Sequence, residues 1–128
     1  MSINNVDGAS IDVEDNNLIK TTYPPNCLIN SNHLEKIRKV YTDLFDNEDL
    51  SDLKLLLIFE GKIEFSKDIS ERYFNGRVRK KIGEALVSSD PAVREYLYAA
   101  SAIMGITHPV RVFESELDAR NWLHSLSE

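Results

Sequence analysis

"DLKLLLIF", residues 52–59, decides the fold. From Leu55 to Phe59 every residue is apolar, so a strand formed here carries apolar side chains on both of its faces. Water cannot wet either face of such a strand. It belongs near the middle of a sheet covered by helices above and below, whereas a strand with one solvated face would alternate apolar with polar residues. The run is far too short for a membrane span, which takes roughly 20 apolar residues. The stretch therefore predicts a layered α/β domain with this segment at its centre.

Working backwards, Ile11 and Val13 alternate with polar neighbours, "EDNN" (14–17) supplies turn chemistry, and Ile19, Thr21 and Tyr23 resume the alternation. This predicts an antiparallel hairpin over about 9–23, ended by Pro24 and Pro25. Beyond the prolines, Leu34, Ile37, Tyr41 and Leu44 recur at helical spacing. Asn32 and Glu35 are spaced as an N-cap and its capping-box partner.

Working forwards, "SKDISERYFNG" (66–76) reads as a short helix, with Ser66 at its N-cap and Asn75–Gly76 at its stop. "KIGEALVSS" (81–89) returns as a strand. In "SDPAVREYLYAASAIMG" (89–105), Asp90 caps a helix, Pro91 takes the first helical position and Gly105 follows the end. Val93, Leu97, Ala100 and Met104 form its stripe, and the high apolar content predicts the most buried helix of the domain. "PVRVF" (109–113) is the last strand. Ser115 and Asp118 open a final helix whose Ala119, Trp122, Leu123 and Leu126 face the core, with Trp122 a large buried anchor. The predicted order is ββαβαβαβα, a mixed sheet of about five strands in one domain: a hairpin, then an α/β core over about 30–128. The later strands are expected to be parallel and joined by crossover helices.

The 128 residues are 42% hydrophobic and 28% charged, a globular balance. The net charge of −6 disfavours DNA binding, which needs clustered cations to displace counterions from phosphate. The single cysteine and the absence of a signal-type start lead to the expectation of a cytoplasmic protein without an internal disulfide.

From "LKLLLIF" (53–59, read from its first leucine through Lys54) onward, the arrangement resembles the STAS-like bacterial proteins of unassigned function. These are related to sporulation anti-sigma-factor antagonists and have a STAS/SEC14-type fold. The resemblance is clearest at the end, in Arg111-Val112-Phe113, the acidic Glu114 to Glu116, Ala119 and Trp122-Leu123. It extends to "FSKDISERYF" (65–74) and "ALVSSDPAVREYL" (85–97). The resemblance implies a STAS-like domain that works through protein contacts. It also makes Ser66 the counterpart of the antagonists' phosphoacceptor serine, although Phe65 stands where they carry aspartate and the motif's glycine is missing.

Other candidate residues have ordinary structural readings beside the chemical ones. Cys27 and His33 invite the idea of a thiol activated by an imidazole, but a lone cysteine is usually a small buried hydrophobe, and His33 reads as solvated in a first helical turn. His108, Glu114 and His124 lack metal-ligand spacing, and His124 suits the negative end of the last helix. Arg77, Arg79, Lys80 and Lys81 concentrate cations in an acidic chain and are the candidate charged contact surface; a solvated connection is the plainer reading. Tyr96 and Tyr98 are candidates for a dimer contact or an apolar pocket. No glycine-rich nucleotide loop and no nucleophile elbow occurs. No cofactor or metal is expected. The reading is a non-enzymatic regulatory or protein-binding module that forms a homodimer, with a carrier of a lipid or other apolar small molecule as the alternative and an enzyme third.

Overall fold

A computed structural model of the chain describes residues 3–14, 18–44, 54–67, 82–104 and 109–126. The strands are β1 (Ile3–Val6), β2 (Ala9–Glu14), β3 (Leu18–Tyr23), β4 (Cys27–Ile29), β5 (Lys54–Phe59), β6 (Ile63–Phe65), β7 (Gly83–Ser88) and β8 (Val110–Phe113). The helices among the described residues are α1 (Ser31–Leu44), α2 (Pro91–Met104) and α3 (Glu116–Ser125).

Among the described residues six strands form the main sheet, in the order β1-β2-β3-β5-β7-β8. The first three are antiparallel, and β3, β5, β7 and β8 are parallel neighbours. As expected, β5 lies inside the sheet with both faces covered. Leu55, Leu57 and Phe59 point to the face that also buries Ile37 and Tyr41 of α1 and Val93 and Leu97 of α2. Leu56 points to the other face, among Leu18, Ala85, Val87 and the Ala119 and Leu123 of α3. The crossovers β3–α1–β5 and β7–α2–β8 step in the same direction along the sheet. Crossovers of one hand then place both helices on one face, which is where α1 and α2 lie.

The sheet has more strands than the pattern predicts, for local reasons. β1 reads "INNV", where two adjacent asparagines break the alternation, and it is joined to β2 by a turn at Asp7 and Gly8 with φ of 50° and 95°. β4 and β6 are three residues each and form their own parallel pair, Cys27 opposite Ile63 and Ile29 opposite Phe65. They are the continuations of β3 and β5 past a shared bend. The Glu60 N–H donates to the Tyr23 carbonyl at 2.9 Å and the Asn26 N–H to the Lys62 carbonyl at 2.6 Å, so pairing persists through the corner. Asn26 (φ 65°) and Gly61 (φ 68°) both adopt left-handed backbone there. A Cβ on Gly61 would come within 3.2 Å of the Pro25 Cβ, which is why glycine suits the crossing.

The helix starts follow side-chain capping. Asn30, not Asn32, caps α1: its Oδ1 accepts the His33 N–H at 2.8 Å, because the helix begins as soon as β4 ends. Asp90 caps α2 as its position suggests, accepting from the Ala92 and Val93 N–H groups at 2.9 and 3.1 Å. Ser115 Oγ accepts the Asp118 N–H at 3.1 Å at the start of α3. Trp122 is only half-buried, tilted against Phe113 at 5.6 Å between ring centroids, since α3 lies over the β5–β7 part of the sheet and leaves this ring at its margin. Gly83 sits under the Leu126 side chain, whose methyl a Cβ would have to push aside, so α3 ends close against β7.

Candidate functional site

Open α/β sheets offer their ligand and partner sites at the carboxyl ends of the parallel strands. Here β3 and β5 end in Tyr23 and Phe59, stacked at 4.8 Å and 8°. His33 meets the Tyr23 ring edge-on at 5.9 Å, Phe65 lies 5.9 Å from Phe59, and Tyr96 of α2 stacks on Phe65 at 3.9 Å and 9°. Five rings thus run across this end of the sheet from α1 to α2, roofed by the β4–β6 pair. The sequence shows the aromatic residues individually. Their assembly depends on the shared bend, which carries Phe65 back over Phe59.

Tyr96 is half-buried, and its hydroxyl is enclosed with no hydrogen-bond partner. Burial pushes the phenol up from its ordinary pKa, so it stays protonated at neutral pH. Tyr98, one turn-fraction further along the helix, points outward and is 57% exposed. The two candidate tyrosines are therefore separated: one belongs to the ring row and the other to the surface. Around Tyr98, the outer face of α2 consists of Pro91, Ala92, Glu95, Ala99 and Ala102, all exposed. This overturns the reading of α2 as the most buried helix; one stripe, Val93, Leu97 and Ala100, is buried. The outer face of α1, by contrast, presents Asn32, Lys36, Lys39 and Asp43.

Ser66 follows β6, and its N–H donates to the Ile29 carbonyl at 2.8 Å, extending the β4–β6 ladder by one step. The residue is partly exposed at the end of that pair. The helix expected over 66–76 lies, beyond its first two residues, outside the described residues, as do Arg77, Arg79, Lys80, Lys81, Gly105 and His108.

Cys27 and His33 do not form a nucleophilic pair. The Cys27 thiol faces the Leu28 carbonyl at 3.9 Å, and burial, with the charge of Asp7 adding to it, pushes the thiol up from its ordinary pKa, opposite to the shift a nucleophile needs. His33 is buried, 3% exposed, rather than solvated: its Nε2 lies 2.8 Å from the Val6 carbonyl and ties α1 to β1. The first turn of α1 lies against the sheet edge, so this histidine serves as a bracket. Its Nδ1 is enclosed without a partner. Glu114 is exposed beside Arg94 at 3.8 Å, while the Arg94 Nη1 donates to the Ser88 carbonyl at 3.0 Å at the carboxyl end of β7. His124 is exposed in the last turn of α3, as its position suggests. Among the described residues no three His, Cys, Asp or Glu side chains come together as metal ligands.

Two polar assemblies escape a reading by sequence pattern. Thr21 Oγ1 and the Tyr41 hydroxyl lie 2.5 Å apart in the core. Burial pushes the Tyr41 phenol far above its ordinary pKa, the Thr21 bond opposes this, and the nearby charge of Glu84 adds to it. Glu84 itself is fully buried on β7. On the opposite face of the sheet, Arg120 of α3 makes a fork onto Glu14 of β2, Nη1 to Oε1 at 2.8 Å and Nη2 to Oε2 at 3.0 Å. Its Nε donates to Glu116 at 2.8 Å, and Lys20 of β3 reaches the same carboxylate at 3.2 Å. The bond from Arg120 holds the Glu14 carboxyl below the ordinary range. For Glu116, burial pushes upward but the bonds from Arg120 and Lys20 outweigh it, and the net direction is again down. Glu14 and Arg120 are 106 positions apart, so only tertiary structure could bring them together.

No family model, curated protein or solved structure matches the chain. No helix among the described residues is long and apolar enough to cross a membrane.

Proposed function

We propose that the chain is a STAS-like, non-enzymatic regulatory module that acts by binding protein, and that it binds through the outer face of α2, self-associating as a homodimer. One observation carries this reading. The exposed face of α2 is built from proline, three alanines and a 57% exposed tyrosine, with Glu95 its one charged residue, whereas α1 turns lysine, aspartate and asparagine to solvent. Small side chains let another backbone approach closely, and an exposed tyrosine supplies rigid contact area with a polar tip.

The alternative, a carrier of an apolar small molecule, is favoured by the Tyr96 hydroxyl, which is enclosed without a partner beside the row of rings. An enzyme using Cys27 comes third, with a thiol pushed in the unhelpful direction. Native mass spectrometry of the protein purified from its source separates these. The expected result is a dimer that Tyr98→Asp together with Ala99→Glu converts to a monomer with an unchanged circular dichroism spectrum. A stoichiometric apolar molecule bound to a monomer would transfer the reading to the carrier. A bare monomer would remove self-association, and cross-linked partners insensitive to the α2 variants would move the contact elsewhere.

A further inference from the structure

We draw no further inference here: the strongest candidate, the outer face of the β4–β6 pair with its half-exposed Leu28 beside Glu64, is an open strand surface, and nothing in the structure shows what covers it.

Discussion

Arg120 concentrates more interaction than any other charged side chain described above, and its effect has a defined pH dependence. Glu14 and Glu116 have carboxyl pKa values lowered in the folded state, so they add stability that is fully present above the unfolded value of about 4.3. That stability is lost as the pH falls through the lower folded values. Partly exposed ion pairs are screened by water, so the expected loss for Arg120→Met at pH 7 is about 1–2 kcal/mol, a bidentate fork standing above a simple surface pair. The urea midpoints of variant and parent should converge as the pH falls below the lowered folded values, where both carboxylates are protonated in either state; a gap that stays as wide throughout the acid range as at pH 7 would assign the effect to lost packing of the arginine stem. Trp122 is a second residue whose position sets the size of its contribution. A fully enclosed tryptophan would cost about 3–5 kcal/mol on truncation to alanine. Trp122 is half-buried against Phe113 and leaves no closed cavity, so Trp122→Ala should cost about 2 kcal/mol. Equilibrium unfolding followed by circular dichroism measures it. Neither residue's role could be assigned from spacing alone: an i, i+4 Glu116–Arg120 pair is visible in the sequence, but Glu14 is not, and the helical wheel places Trp122 on the core stripe without saying that the sheet beneath it ends.

Among the elements, α2 depends most visibly on one cap. Asp90 satisfies two of the free N–H groups of its first turn, and Ser88 Oγ in turn accepts the Asp90 N–H at 3.1 Å, so the cap is held by the strand that precedes it. Asp90→Ala should lower stability by about 1 kcal/mol, and Asp90→Ser should recover most of the loss, both read as shifts in the urea midpoint. This cap, Pro91 and the buried stripe are legible in the sequence because each is a local rule. So are the hairpin β2–β3, the central strand β5 and the start of α3 at Ser115. The short elements are not. β4 and β6 are too brief to show a period, and what makes them strands is their pairing with each other after β3 and β5 turn the same corner. Asn30 outranks Asn32 as the α1 cap for a related reason: β4 ends at Ile29, and the register of that strand fixes where the helix can begin. The row of rings inherits the same difficulty. Tyr23 and Phe59 are predictable strand ends, but Phe65 and Tyr96 join them only because the bend folds one strand back toward α2.

At the scale of the whole molecule, the sheet is a shared wall between two apolar layers. Leu55 and Leu57 serve one side of β5 and Leu56 the other; Leu86 and Ala85 divide β7 in the same way. Neither layer can lose its strands without uncovering the other. The α3 layer is the smaller, but it is tied beyond its apolar contacts by the Arg120 fork to β2 and by the Lys54 Nζ, which donates to the Leu126 carbonyl at 3.4 Å. A helix of ten residues has little stability in isolation, so α3 should be ordered only while docked. These facts predict cooperative unfolding of both layers together, and the single tryptophan makes the prediction direct to check. Trp122 reports on the α3 side, while far-ultraviolet circular dichroism reports on all helices and strands. In urea the two signals should change with the same midpoint and the same slope, as for a two-state domain of this length. A fluorescence transition at lower urea than the dichroism transition would mean that α3 leaves the sheet first. The Arg120→Met variant sharpens the test: if the fork couples α3 to the hairpin within one cooperative unit, both signals shift together by the same amount, and a shift confined to fluorescence would show that the contact holds only the helix.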